Sequence, residues 1–184
     1  MSDTIVIRGA RTADAPGIAR VGVETWRNAY AGLVPNDYLL RLSEARQAVQ
    51  WDALVRRARG ADSVLVAESQ GPQGSQIVGY GSCGRSRGGP LAGEVFTLYI
   101  GNDWQGMGIG RRLLFGLFKS LSARRMDEAV IWVLSGNPSR FFYEAMGGTR
   151  VAERKERFAG TLLEETAYGW PDLKAWLAER SRRV

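Results

Sequence analysis

The sequence predicts an α/β fold, with a central twisted mixed sheet of about seven strands flanked by about four to five helices. Short β-branched runs alternate with longer stretches of helical period. One run, "AVIWVL" (Ala129 to Leu134), is apolar throughout, as suits a strand covered on both faces in a parallel pairing. At 184 residues and 45% hydrophobic content, the chain suits one domain over residues 1–184 with a substantial core.

"TIVIR" (Thr4 to Arg8) alternates and is β-branched, so it opens the sheet. In "TADAPGIARVGVETWRNAYAGL", Asp14 is placed to cap a helix and Pro16 fits its first turn. Ile18, Val21, Gly22, Thr25 and Ala29 share its apolar face, and Trp26 and Tyr30, one turn apart, project together beside it. A short helix over Asn36 to Leu42 and a longer one from Glu44 to about Arg59 follow, with Ser43 as cap. "SVLVAES" and "QIVGYGSCGRS" flank the turn-rich "QGPQGS" as a hairpin, and "EVFTLYI" (Glu94 to Ile100) is the next strand. Ile109, Leu113, Leu114, Leu117, Phe118 and Leu121 mark the apolar side of a helix reaching about Arg125. After "AVIWVL", "NPSRFFYEAMGG" makes a short helix closed by Gly147 or Gly148. "TRVAERKERF" and "TLLEETAYGW" form a hairpin around "AG", followed by a polar, arginine-rich tail.

Composition removes whole classes of chemistry. Cys83 is the only cysteine and there is no histidine. An intrachain disulfide, a zinc cluster, a Ser-His-Asp triad and a Cys-His pair are excluded, and no metal is expected. A general base must be a carboxylate, lysine, tyrosine, the N-terminus or water. Cys83 reads as a packing residue in a strand. The formal charge of +6 favours a polyanionic partner without choosing one. No apolar run reaches the length of a membrane span and the N-terminus lacks a secretory signal, so a cytoplasmic protein with no membrane partner is expected.

The most informative stretch is "WQGMGIGRRLL", Trp104 to Leu114. A strand ending at Ile100, then Gly106, Gly108 and Gly110 at the start of a helix, exposes a row of backbone N–H groups at a helix N-terminus. Arg111 and Arg112 add charge in the first turn, so the stretch suits an anion. It lacks the Gly-Lys-Ser/Thr ending of a Walker loop. Arg111 stands where the dinucleotide fingerprint needs its third glycine.

"Gln105-Gly106-Met107-Gly108-Ile109-Gly110" resembles the Gln/Arg-x-x-Gly-x-Gly/Ala signature of the GNAT superfamily of N-acetyltransferases, where it binds the pyrophosphate of acetyl-CoA. "NPSRFFYEAMGG" is similar to the family's later Asn-x-x-x-x-x-(Phe/Tyr)-Tyr-x-x-x-Gly-Phe segment, with Thr149 where an aromatic commonly follows the glycine. "ETWRNAYAGLVPNDYLLRLS" resembles the opening helices of a bacterial subgroup.

The resemblance implies a GNAT-like fold and acetyl transfer from acetyl-CoA to a primary amine by direct attack in a ternary complex. It implies that Leu98, Tyr99 and Ile100, the loop from Gln105 through Met107 and Ile109 to Arg111, and Asn137, Arg140 and Tyr143 bind the cofactor. For Glu94 it implies a general base, acting directly or through water, on the strand face shared with Phe96, Leu98 and Ile100; the bland reading is a strand-edge carboxylate. For Tyr143 it implies the acid, against a core aromatic; for Asn137 a pantetheine contact, against a helix cap; for Arg140 a phosphate contact, against a solvated arginine. Trp26, Tyr30, Tyr38 and Glu94 would face the acceptor, against core packing for the aromatics. A homodimer is common in the family. Two other readings are a catalytically weak acyl-CoA sensor or scaffold, and a basic nucleic-acid-binding protein. The scattered "RRAR", "RSR" and "RSRR" do not support nucleic acid as a partner.

Overall fold

The computed structural model describes residues 3–58, 63–72, 74–88 and 90–181. Strands β1 (Thr4–Gly9), β2 (Ser63–Gly71), β3 (Gly74–Arg85), β4 (Gly93–Ile100), β5 (Ala129–Leu134), β6 (Thr149–Phe158) and β7 (Thr161–Trp170) form one sheet in the order β1-β2-β3-β4-β5-β7-β6. β4 and β5 run parallel, and the other neighbours are antiparallel. The helices are α1 (Ala15–Ala29), α2 (Asn36–Leu40), α3 (Glu44–Arg57), α4 (Ile109–Ser122), α5 (Arg140–Ala145) and α6 (Leu173–Ser181). α2 is shorter than expected, and the expected end of α3 at Arg59 lies outside the described residues.

Sequence periodicity sets the packing. Leu114, Leu117, Phe118 and Leu121 of α4 are fully buried against Val95, Ile131 and Trp170 on one sheet face. Ile18 and Val21 of α1 pack on the other face against Val66 and Tyr80. The expected polar tail is instead α6, which follows α4 in packing: Trp176 lies 4.9 Å from Phe118 between ring centroids. Asp172 starts this helix by accepting the Ala175 N–H at 2.9 Å.

Ser43 caps α3 as expected, its Oγ accepting the Arg46 N–H at 3.4 Å. Asp14 does not cap α1. Its carboxylate accepts from Arg8 at 2.7 and 2.9 Å and from the Arg11 N–H at 2.7 Å. Burial pushes its pKa up, but these hydrogen bonds outweigh burial and hold it below the ordinary value. Arg8 also donates to Glu68 at 3.1 and 3.0 Å, which holds that carboxyl down to about 2. Because the folded pKa is depressed, the stabilisation from Glu68 is complete above its ordinary value of 4.5 and is lost as pH falls toward about 2. Glu68→Gln should therefore make the thermal midpoint fall less steeply with pH across that window. Curves parallel to wild type would contradict the assignment.

Two irregularities coincide in β4. Ser82 pairs with Thr97 but Cys83 pairs with Val95, so Phe96 is an extra, bulged residue. The parallel pairing with β5 ends at Val95–Ile131, leaving the rest of β4 splayed from β5. A bulge reverses the phase of alternation. Val95, Leu98 and Ile100 pack toward α4, and Glu94 lies on the opposite face with Thr97 and Tyr99. This corrects the expectation that Glu94 shares a face with Leu98 and Ile100.

Candidate active site

The splayed end of β4 presents unpaired backbone. Gly101 donates its N–H to Val78 O of β3 at 2.8 Å, whereas Ile100 O accepts from Gln105 Nε2 at 3.2 Å. Since alternate residues of a strand direct their polar groups to opposite edges, Leu98 and Ile100 face the gap. Gln105 thus holds the strand end to the loop that follows it.

That loop enters α4 through two left-handed residues, Gly106 and Gly108, each at φ +75°. A side chain is strained in this region, and glycine is not. The first intrahelical bond runs from Arg112 N to Gly108 O at 3.2 Å, so the N–H groups of Ile109, Gly110 and Arg111 have no acceptor within the helix. Arg111 Nη2 sits 3.8 Å from where a Cβ on Gly108 would be. Arg112 does not join it: its guanidinium donates to Ile5 O at 2.9 Å, tying α4 to the sheet edge.

A cleft of about 560 Å³ runs from this helix end between β4 and α5. Leu98, Ile100, Gln105, Gly106, Gly108, Ile109, Gly110, Arg111 and Tyr143 line it. Trp104, Pro138, Ser139, Phe142 and Met146, which the sequence did not single out, line it too. Met107 is exposed beside it and Arg140 stacks on Phe141 at 4.7 Å, neither lining the cleft.

A second cavity of about 80 Å³ lies in the split between β4 and β5, beneath α1. Leu98, Gln105, Ser139 and Tyr143 line both spaces, so the two meet there. The smaller one is walled by Thr25, Tyr30, Phe96, Thr97, Tyr99, Trp132 and Asn137, among others. The Tyr99 side chain is therefore on this side, its Oη 3.3 Å from Tyr30 Oη. Asn137 is buried and accepts the Ser139 N–H at 2.9 Å. Thr97 was legible only from the phase change at Phe96.

Trp26 and Tyr38 line neither cavity; they cluster with Tyr30 and Phe158, Trp26 lying 4.5 Å from Tyr30 and Tyr38 4.7 Å from Phe158 between ring centroids. Glu94 also lines neither, its carboxylate accepting the Arg87 N–H at 2.9 Å and facing Ser86 Oγ at 3.4 Å. Tyr143 is 5% exposed. Burial raises its pKa, as it does for Tyr30 and Tyr99, so all three hydroxyls keep their protons at neutral pH. Among the described residues, no group of His, Cys, Asp or Glu is arranged to hold a metal ion, and no helix is long and apolar enough to cross a membrane.

The family model "Acetyltransferase (GNAT) family" matches residues 25–148. The chain is 34% identical over 173 residues to the uncharacterized N-acetyltransferase YuaI of Bacillus subtilis, covering 93% of this chain and 95% of that one. Its fold is similar to an N-acetyltransferase of Staphylococcus aureus Mu50, with TM-score 0.71 at 17% identity, covering 93% of this chain and 99% of the other. It is also similar to yncA of Salmonella typhimurium, a putative acetyltransferase solved with its cofactor acetyl-CoA, with TM-score 0.67 at 24% identity, covering 92% and 94%. With a glycine loop, a split sheet and these matches along most of its length, the chain belongs to the GNAT family of acetyltransferases.

Proposed function

We propose that the protein transfers the acetyl group of acetyl-CoA to a primary amine by direct attack in a ternary complex. The observation that carries this reading is the meeting of two cavities at Leu98 and Tyr143, one leading to free helix amides and the other lying beneath α1. The residues fit acetyl-CoA: a Cβ at Gly108 would take up open space beside the Arg111 guanidinium at the helix N-terminus, where a pyrophosphate would sit, and the gap edge of β4 offers sheet-like hydrogen bonds to pantetheine amides. Bound acetyl-CoA supplies an acyl group activated as a thioester.

The chain's own residues do the rest. The amides of Ile109, Gly110 and Arg111 and the Arg111 side chain hold the phosphates, with the helix dipole adding to the attraction. The Leu98 backbone N–H polarises the acyl oxygen. Tyr143, kept protonated by burial, donates to the departing sulfur. Glu94 takes the amine's proton through water: the bulge puts it on the face of the smaller cavity, yet it does not line that cavity. Glu94→Gln should lower kcat by on the order of 100-fold while leaving KM for acetyl-CoA nearly unchanged. An unaltered kcat would make bulk water the base.

The reading as a whole is tested by thiol release from acetyl-CoA against a panel of amines. Release with one amine class supports it. Tight acetyl-CoA binding with no release from any amine would favour the sensor instead.

A further inference from the structure

Thr25 lies in the C-terminal half of α1 at 6% exposure, and its Oγ1 has no hydrogen-bond partner among the described residues. A buried helical threonine ordinarily returns its hydroxyl to the carbonyl one turn back. This one lines the smaller cavity instead. Several polar groups around it are already engaged: Thr97 with Ser82 at 2.7 Å, Tyr30 with Tyr99, and Asn137 Oδ1 with the Ser139 N–H. Buried hydroxyls are nearly always satisfied, so an unpartnered one on a residue that lines a cavity marks where a ligand atom belongs.

The same cavity is lined by no charged side chain among the described residues. Glu165, which acts on Tyr30 through space, is already paired with Arg154 at 2.6 Å. A carboxylate or second ammonium entering beside the amine would therefore lose its water without gaining a partner. An uncharged stem loses much less.

Resting on the transferase reading, we propose that Thr25 sets acceptor specificity. Its hydroxyl hydrogen-bonds the amine end of an acceptor whose nitrogen is carried on an uncharged stem, such as an amide-flanked or aliphatic one. Free α-amino acids and 1,2-diamines are rejected.

The test compares wild type, Thr25→Val and Thr25→Ser by thiol release at saturating acetyl-CoA, using amino acids paired with their amides and rates corrected to the neutral amine. Calorimetry gives acetyl-CoA affinity, and thermal melting gives the stability of the free protein. The amides should exceed the acids by at least about tenfold in kcat/KM. Thr25→Val should raise KM for the preferred amine about tenfold, the loss of one buried hydrogen bond, with acetyl-CoA affinity unchanged and Tm no lower. Thr25→Ser should stay near wild type. Equal use of acids and amides, an unchanged KM in Thr25→Val, or a fall in Tm that carries acetyl-CoA affinity down with it would overturn the proposal. A wild type that binds acetyl-CoA but releases no thiol with any amine would overturn the transferase reading and the proposal together, a pattern distinct from turnover indifferent to residue 25.

Discussion

Gly108→Val is expected to weaken acetyl-CoA binding by on the order of 100-fold, about 3 kcal/mol. Two effects combine. At φ +75° a β-branched residue is strained, so the loop must shift and the N–H groups of Ile109 to Arg111 lose their common aim. The nearest group to a new Cβ is Arg111 Nη2 at 3.8 Å, so the side chain would also project into the space that the phosphates need. Losing one or two charge-assisted hydrogen bonds accounts for the magnitude. Calorimetric titration with acetyl-CoA checks it, with circular dichroism confirming an intact fold. Affinity equal to wild type would show that the anion lies elsewhere.

Tyr143→Phe is expected to lower kcat by on the order of 100-fold while leaving KM for acetyl-CoA nearly unchanged. Phenylalanine keeps the ring packing against Phe142 and Tyr168, whose centroids lie 5.3 and 6.2 Å away, so the variant removes the hydroxyl and little else. Because burial raises the Tyr143 pKa, the hydroxyl stays a donor through neutral and mildly alkaline pH, and wild type should show no alkaline limb from it there. Full activity at saturating substrates would leave Tyr143 a core aromatic only.

Much of this architecture was legible because it rests on local rules. The seven strands followed from β-branched runs, α4 from its apolar period, and the loop from glycines at a strand-to-helix junction. What escaped depended on pairing between distant segments. Nothing local in "EVFTLYI" marks Phe96 as bulged, since the extra residue exists only relative to Ser82 and Cys83 of β3. Reading the strand as plain alternation therefore put Glu94 with Leu98 and Ile100, and left Thr97 unnoticed. Asp14 carried a cap's identity and position, but Arg8 and Glu68, brought beside it by β1 and β2, offered stronger partners. α6 was hidden differently: its charged residues read as a tail, although "PDLKAW" carried a capping aspartate and an apolar pair three apart.

Charge was legible only as a sum, not by position. The basic excess reads as a surface for polyanions, yet Arg87, Arg154 and Arg180 lie over the rings of Phe96, Trp132 and Trp176 at 3.8, 4.1 and 4.2 Å. Those cations stabilise aromatic walls, two of them beside the smaller cavity. Arg111 lines the cleft at the N-terminal end of α4.

On the proposed mechanism the longer cleft holds acetyl-CoA with its reactive end where the two cavities meet, and a crystal structure of the acetyl-CoA complex is the direct test. Pyrophosphate density is expected on the N–H groups of Ile109 to Arg111, pantetheine along the gap edge of β4, and the thioester between the Leu98 N–H and the Tyr143 hydroxyl. Density for the pyrophosphate away from Gly108, or a thioester remote from Tyr143, would contradict it.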